Sequence, residues 1–316
     1  MDVTLSNEFV KWLKSSVGNK GKKVEARIKS FCTKYSNTEV FVPSTCRLKE
    51  DIEQEFFIAL FGKMGVNSDI HLYRYMPFNS LVRTLDEGKV SMCSIVSMND
   101  KTERDYFQKY IKNYKAYNSY IDAINDNLKL SNKDNLQYYI TSLMPKVNKD
   151  DLDMWRIYGD DARGVMLEYE IPKKGIPEPF LLAHISYAGK KRRNGVIKLI
   201  FELMSHSFSN GQHILFNHLD AWQHMFKPYE YHKENEIRLL FVSSTVDKWV
   251  KNDDFGILMP LKLFEIEKEY PLKLKSIMLG PKFSEKDTNK DMLNSMLKSK
   301  GIKGVSIEES LIYSYR

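Results

Sequence analysis

The sequence predicts an α+β protein, because short strands are scattered among helices along most of its length. Residues 1–67 carry apolar side chains at helical spacing, and the pattern changes to short strands from residue 71. With 316 residues, of which 42% are hydrophobic and 12% aromatic, the chain is long enough to bury a full core. We therefore expect a helical N-terminal appendage at residues 1–67 and an α+β domain at residues 68–316.

The N-terminal appendage contains two apolar stripes at helical spacing. The first consists of Phe9, Leu13 and Val17, and the second of Ile52, Phe56, Phe57, Leu60 and Phe61. A stretch rich in glycine and lysine at residues 18–23 ends the first helix. Because the appendage lacks a cluster of catalytic residue types, we expect it to pack, to contact a partner or to regulate the larger domain.

The larger domain opens with a strand, a short helix, a glycine turn and a second strand. Leu72–Tyr75 and Val90–Ile95 are the predicted strands, and Ser80–Glu87 is the helix between them. Gly88 stands where a helix C-cap is expected. This compact unit places Arg74 inside its first strand.

The rest of the domain continues as a mixture of helices and strands. One face of a long helix is predicted by a stripe of tyrosines, namely Tyr106, Tyr110, Tyr114, Tyr117 and Tyr120. Packing of this stripe in the core is favoured over stacking on bases. Strands are predicted at Tyr138–Leu143, Gly164–Tyr169, Ile185–Ala188, Ile237–Val242, Ile277–Leu279 and Val305–Ile307. Helices are predicted at residues 150–159, Val196–Phe208 and Gln212–Phe226.

Composition excludes several classes of protein. The three cysteines are an odd number at unrelated spacings, which indicates neither a disulfide framework nor a zinc knuckle. The N-terminal residues lack the apolar core of a signal peptide, and no stretch approaches 18 apolar residues, so we expect a cytoplasmic protein without a membrane partner. A net charge of +7 permits contact with nucleic acid, although a generally basic surface explains it as well.

Common catalytic motifs are absent from the chain. It has no glycine-rich phosphate loop, no G-x-G-x-x-G, no H-E-x-x-H and no G-x-S-x-G, which disfavours P-loop NTPases, dinucleotide-binding dehydrogenases and zinc proteases. The histidine spacings do not stack two ligands on one helical face, so no metal site is expected. Asp86, Glu87 and Lys89 loosely resemble the acidic element of metal-dependent nucleases, in a chain that is 28% charged.

Two charged segments are the candidate functional residues. Arg74 alternates with Tyr73 and Tyr75 in a strand, and a buried guanidinium requires a carboxylate or phosphate partner. Glu234, Glu236 and Arg238 alternate with neutral residues at the start of the strongest strand, so their side chains are expected on one face that is not core. An edge-strand row of salt bridges remains the structural alternative for these charges.

Five stretches of the chain resemble a bacterial family catalogued as domain of unknown function 2971. They are Leu72–Tyr75, Ser97–Glu103, Met154–Gly159 with Arg163-Gly164, Lys227–Arg238 and Gly280–Glu285. The resemblance covers roughly residues 70 to 310 in the order of the family. This family does not carry a settled activity.

A more distant resemblance joins the chain to ADP-ribosyltransferases. The strand with an aromatic residue and arginine, the short helix ending in glycine and the next strand are similar to the opening of that fold, and E-x-E is similar to its acidic pair. The resemblance implies a split β-sheet core that binds NAD. Arg74 would then hold NAD by its phosphates or ribose, Glu236 would stabilise positive charge as nicotinamide leaves, and Glu234 would help to activate the acceptor nucleophile.

The same resemblance implies a central serine-threonine-serine strand, for which Thr141-Ser142 and Ser186-Tyr187 are the candidates. Further NAD-binding residues are implied around the cleft: Tyr73, Tyr75, Asn99, Trp155, Tyr158, Tyr187 and Arg238. Trp155 and Tyr158 are three residues apart on a short helix, so they fit a core equally well. Asn99 fits a turn or a helix cap equally well.

The resemblance implies an enzyme that transfers ADP-ribose from NAD to a macromolecular acceptor, either protein or nucleic acid, as an effector in phage defence or as a toxin. The first alternative is a non-catalytic module that binds a nucleotide or nucleic acid. The second is a metal-dependent nuclease that uses Asp86, Glu87 and Lys89. Loss of activity in Glu87→Ala but not in Glu236→Ala would select the nuclease.

Overall fold

A computed structural model describes most of the chain. The described residues are 3–18, 21–62, 71–95, 105–113, 125–126, 136–189, 191, 193–252 and 257–313. They belong to two compact units, which we call the first unit (Met1–Lys63, Asn99–Leu136 and Ala183–His232) and the second unit (Met64–Met98, Gln137–Leu182 and Lys233–Arg316). The division by packing begins close to the predicted boundary at residue 67, and two later segments join the N-terminal helices in the first unit. The predicted domains themselves stay a prediction.

The protein is a mixture of helices and strands in several sheets. In the described residues the α-helices are α1 (Val3–Ser16), α2 (Lys22–Lys34), α3 (Glu50–Phe61), α4 (Phe78–Glu87), α5 (Tyr106–Asn113), α6 (Leu152–Tyr158), α7 (Gly195–Ser205), α8 (Leu219–Trp222) and α9 (Lys286–Ser299). The strands are β1 (His71–Met76), β2 (Lys89–Ser94), β3 (Gln137–Leu143), β4 (Val165–Glu170), β5 (Phe180–His184), β6 (Ser186–Tyr187), β7 (Phe226–Lys227), β8 (Ile237–Ser243), β9 (Lys248–Asn252), β10 (Ile257–Glu265), β11 (Lys273–Leu279) and β12 (Ser306–Glu309). Short 3₁₀ helices occupy Lys146–Asn148, Gln223–Met225 and Tyr229–Glu234.

The first unit is built around aromatic residues of its N-terminal helices. Phe56 of α3 lies at the centre, with its ring centroid 6.2 Å from that of Phe9 and 5.4 Å from that of Phe31. Its ring also stacks against Phe216, at 6.0 Å and an interplanar angle of 5°. The apolar stripes predicted in α1 and α3 are therefore confirmed as the buried faces of these helices.

The predicted helix at Gln212–Phe226 is wrong for its first half. The second half of this range contains the single turn α8 and a 3₁₀ turn. The first half is not helical, because its backbone donors bond to the N-terminal region instead. Leu215 N–H donates to the Cys46 carbonyl at 3.0 Å, and Asn217 N–H donates to the Glu53 carboxylate at 2.9 Å. These tertiary hydrogen bonds satisfy groups that a helix would have satisfied internally.

The second unit contains the sheets that carry the candidate site. One sheet has the strand order β1-β4-β11-β12, with β11 and β12 parallel, and the other has the order β5-β8-β3-β2-β10-β9. The two sheets meet where Tyr73 of β1 and Met144 exchange two backbone hydrogen bonds of 2.8 Å. An apolar core lies between the sheets, and its residues come from both, for example Leu167 of β4 and Leu239 of β8. We call this cluster the inter-sheet core.

Gly88 has the role predicted for it. It follows α4 with φ 63° and ψ 21°, which is the left-handed conformation of a helix C-cap, and its N–H donates to carbonyls of the last turn. The long tyrosine helix is described only at Tyr106–Asn113, and Tyr114, Tyr117 and Tyr120 lie outside the described residues. In the described part of the chain, no helix is long and apolar enough to span a bilayer.

The three free cysteines are predicted to react slowly with alkylating reagents. Burial raises the pKa of the Cys32 thiol to about 11, and burial also raises the pKa values of Cys46 and Cys93. At pH 8 roughly one thiol in 10³ at Cys32 is ionised, and the thiolate is the reactive form. We expect iodoacetamide at pH 8 to label Cys32 about 100-fold more slowly in the native protein than in urea. Rapid labelling of Cys32 in the folded protein would contradict its burial.

Candidate active site

The acidic segment predicted as functional lies just before and at the start of β8. Glu234 ends a 3₁₀ helix, Asn235 has a positive φ of 47°, and Ile237 begins the strand. The alternation predicted for all three charges therefore holds for Glu236 and Arg238 but does not extend back to Glu234. The expectation that these charges are not core is wrong, because Glu236 and Arg238 are each 1% exposed and Glu234 is 7% exposed.

Glu236 and Arg238 are buried because they neutralise each other. Arg238 Nε donates to Glu236 Oε1 at 2.8 Å, and Arg238 Nη2 donates to Glu236 Oε2 at 3.1 Å. This two-point contact suits the planar guanidinium and offsets the cost of removing both charges from water. We call Glu236 and Arg238 the buried ion pair.

Ser142 is a second partner of the Glu236 carboxylate. Its hydroxyl donates to Glu236 Oε1 at 2.6 Å. The contact follows from the register of the sheet, in which Ser142 of β3 lies directly opposite Arg238 of β8. Ser142 is exposed, so the carboxylate lies immediately below the surface at this point. Of the two candidate segments for the implied serine-threonine-serine strand, Thr141-Ser142 is the one that contacts Glu236.

Glu234 is held by a different element. The hydroxyl of Tyr158, the last residue of α6, donates to Glu234 Oε1 at 2.5 Å. The helix begins with Asp151, whose side chain accepts from the Met154 N–H at 3.0 Å. The two acids of the E-x-E sequence thus have separate partners and separate surroundings.

Asn148 fixes the backbone that carries both acids, and the sequence offered no sign of it. Its buried side chain donates to the Lys233 carbonyl at 3.0 Å and accepts from Asn235 Nδ2 at 3.3 Å. The Tyr75 hydroxyl donates to the Asn148 carbonyl at 2.6 Å. Tyr75 therefore acts through the backbone of the Asn148 turn.

The aromatic residues implied as NAD ligands form a small core beside this site. Trp155, Tyr73 and Tyr75 are almost fully buried, and the rings of Tyr75 and Trp155 meet edge to face at 4.8 Å. Trp155 Nε1 donates to Asp150 Oδ1 at 2.7 Å. Burial raises the pKa of Tyr75. Tyr158, at the rim of this cluster, is half-buried and contacts an acid of the candidate site.

Asp150 also anchors the C-terminal segment. Its Oδ1 accepts from the Ser310 hydroxyl at 2.6 Å, and its Oδ2 accepts from the Leu311 N–H at 2.8 Å. One carboxylate therefore ties α6, through Trp155, to residues that follow β12. This tether holds the helix that carries Tyr158.

The structure does not bring every predicted site residue together. Arg74 lies on the face of β1 that Leu72 and Met76 share, which is turned toward the inter-sheet core, whereas Tyr73 and Tyr75 belong to the aromatic cluster on the other face. Tyr187 belongs to β6 of the first unit. Asn99 lies outside the described residues.

The acids of the nuclease alternative occupy surface positions. Glu87 pairs with Lys248 at 2.7 Å, and the Asp86 side chain is 78% exposed. Over the described ranges, no group of three or more His, Cys, Asp or Glu side chains is arranged to hold a metal ion. These acids therefore receive no support as a metal site from the described residues.

The fold and the site together define a mixed α/β protein with two acids of separate surroundings at the start of an interior strand of the six-stranded sheet. Comparison with protein-family models, with curated proteins and with solved structures finds no match for this chain.

Proposed function

We propose that the protein is an ADP-ribosyltransferase-like enzyme that cleaves NAD and transfers ADP-ribose to a macromolecular acceptor. The observation that carries this proposal is the Glu236 carboxylate, held by Ser142 and Arg238 next to a second acid, Glu234, that has its own partner. The resemblance to domain of unknown function 2971 and to ADP-ribosyltransferases adds to it. An enzyme with this activity would act as an effector in phage defence or as a toxin.

In the proposed reaction, the bond between ribose C1′ and the nicotinamide nitrogen breaks, and its electron pair leaves with nicotinamide. The acceptor nucleophile forms the new bond to C1′, and its proton passes to the carboxylate of Glu234. The fixed negative charge of Glu236 stabilises the positive charge that develops on the ribose ring. Ser142 and Arg238 hold that carboxylate in one orientation. In the proposed reaction, NAD approaches from the side of exposed Ser142.

The second candidate function is a non-catalytic module that binds a nucleotide or nucleic acid. The near-complete burial of Glu236 and Arg238 favours the non-catalytic part of this candidate, because a buried ion pair with this geometry also serves as a purely structural contact. The chain's net charge of +7 is compatible with a polyanionic ligand.

The proposal is tested by following nicotinamide release and the transfer of labelled ADP-ribose when purified protein is incubated with NAD and cell lysate. We expect Glu236→Gln to lower the rate by about 10²–10³-fold, since it removes a preorganised charge. Glu234→Gln and Ser142→Ala should also be slower, and both leave the buried ion pair in place. Exposed Glu267→Gln is the matched control and should keep the wild-type rate.

Circular dichroism of each variant separates lost chemistry from lost folding. If wild-type protein releases no nicotinamide with any lysate, the enzymatic proposal is rejected. Salt-dependent binding of nucleotide or nucleic acid by that same protein would then support the second candidate.

A further inference from the structure

Strand β9 lies at one end of the six-stranded sheet in the second unit. Within the described residues it pairs with β10 on one side, and the order of the sheet ends at β9. An edge strand presents a row of backbone donors and acceptors to which another strand can bind. The outer side of β9 is therefore a place where a further strand can extend the sheet.

The pairing with β10 determines which residues of β9 direct their backbone outward. Along an antiparallel strand, residues whose N–H and C=O face the neighbouring strand alternate with residues whose groups face away. The Leu261 carbonyl accepts from the Asp247 N–H at 3.0 Å, so it points toward β9, and the adjacent Pro260 points away. Trp249 lies opposite Pro260, which has no N–H to donate. Trp249, and Lys251 two residues farther along, therefore direct their backbone groups to the outer side of β9.

Two large apolar side chains are exposed next to this edge. Trp249 of β9 is 58% exposed, and Leu258 of β10, which lies opposite Lys251, is 62% exposed. Alternation along the strands places both side chains on the face to which Phe264 of β10 belongs, and Phe264 is buried in the inter-sheet core. The apolar face of the sheet thus continues past its own core. Adjacent exposed apolar side chains at an open edge are typical of a surface that another chain covers.

The sequence of β9 is complementary to itself in the antiparallel direction. When two copies of the strand pair around a two-fold axis at Val250, Trp249 of each copy lies opposite Lys251 of the other. Both residues direct their backbone outward, so each opposed pair can exchange N–H···O=C bonds in both directions. The same pairs place an exposed indole beside the ammonium group of an exposed lysine, and these two groups attract each other.

Other registers of this pairing are less favourable. An axis at Lys251 would set two lysines directly opposite each other, and like charges in that position are destabilising. An axis at Trp249 would require backbone bonds from Asp247, whose N–H already donates to Leu261. An axis between two residues would set an outward-facing residue against one that faces its own sheet. The axis at Val250 is the register that satisfies both the backbone and the side chains.

We propose that β9 is a homodimer interface, in which two copies of the chain join their six-stranded sheets by antiparallel pairing centred on Val250. The contact is isologous, because the same strand provides both halves of it. A second copy fits this edge because β9 itself carries the lysine that its exposed tryptophan requires. The two Trp249 rings then lie diagonally across the axis, within reach of each other. The interface does not depend on the proposed NAD chemistry.

Sedimentation velocity of the full chain over a range of protein concentrations tests the dimer. The paired strands are five residues long and bury little surface, so we expect reversible association with a dissociation constant of roughly 1–100 μM. Trp249→Lys sets like charges opposite each other and should weaken association at least about tenfold. Met292→Lys is the matched control, because Met292 of α9 is 59% exposed, and it should associate like wild type.

A compensating change separates this register from a general loss of apolar surface. In the double variant Trp249→Lys with Lys251→Glu, the introduced amine of one copy faces the introduced carboxylate of the other. Association should therefore be clearly tighter than in Trp249→Lys alone, because the opposed charges now attract. Circular dichroism should show wild-type folding in both variants, since the two side chains are exposed. A double variant that associates no better than Trp249→Lys would overturn the proposed pairing.

A cysteine at the axis reports the register directly. Opposed residues of a non-hydrogen-bonded antiparallel pair have Cα atoms about 4.5 Å apart, a distance that a disulfide can bridge. Val250→Cys should form a covalent dimer in the presence of oxidised glutathione, whereas Met292→Cys should not. Wild-type protein gives the background of the three native cysteines, which are buried or half-buried.

Two results would overturn the interface. The first is wild-type protein that stays monomeric up to about 1 mM, beyond the range of weak specific association, which would leave β9 to an extended segment of a different protein. The second is a wild-type dimer whose stability is unchanged in Trp249→Lys and whose Val250→Cys variant does not cross-link, which would place the contact elsewhere on the surface.

Discussion

Arg238→Met is expected to lower the free energy of unfolding by about 3–5 kcal/mol, because it leaves the Glu236 carboxylate buried without its countercharge. Ser142 still donates one hydrogen bond to Glu236, which is not enough to replace two contacts from a guanidinium. Urea unfolding monitored by circular dichroism measures the change.

The double variant Glu236→Met with Arg238→Met separates the charge from its surroundings. Replacing both partners of a buried ion pair with apolar residues is often neutral, so most of the lost stability should return. Lys268→Met is the control, since its pair with Glu265 is fully exposed and should leave the free energy of unfolding almost unchanged. If Arg238→Met and the double variant are equally unstable, the pair does not act as a charge pair.

Gly280→Ala is expected to destabilise the protein by about 3 kcal/mol or more, because its new methyl group would meet backbone on two sides. The added Cβ would lie 2.3 Å from the Ala162 carbonyl oxygen and 3.0 Å from that of Gly164. Both carbonyls already accept hydrogen bonds from this turn, from Lys282 N–H and Gly280 N–H respectively. The backbone cannot move aside without breaking those bonds.

Gly18→Ala provides the comparison for this substitution. A Cβ at Gly18 would have no atom within 4 Å, so we expect a change in stability of about 1 kcal/mol or less. Thermal unfolding of both variants decides the question. A stable Gly280→Ala protein would mean that the close approach of these two backbone segments is not needed for the fold.

The strands that line the inter-sheet core could be predicted from the sequence, and others could not. β3, β4 and β8 are apolar over several residues in a row, which marks buried strands. β9 and β10 were missed, because Trp249 and Leu258 are exposed and the segment lacks a regular alternation of buried side chains. The failed helix at Gln212–Phe226 had a helical apolar pattern, but its backbone bonds to distant residues.

The candidate site was only partly predictable for a related physical reason. The E-x-E-x-R spacing identified Glu234, Glu236 and Arg238, because charges before an apolar strand are conspicuous. The two acids also depend on partners that are distant in sequence, since Tyr158 is 76 positions from Glu234 and Ser142 is 94 positions from Glu236. A single sequence shows residue types but not which distant side chains will meet them.

The tether at Asp150 affects the order in which the chain can assemble during translation. Its carboxylate accepts hydrogen bonds from Trp155 of α6 and from Ser310 and Leu311. Ser310 and Leu311 are translated 160 or more residues after Asp150. A ribosome must therefore translate past Leu311 before the helix that carries Tyr158 is fully anchored. Until then, the nascent protein has its acidic segment but not the finished support around it.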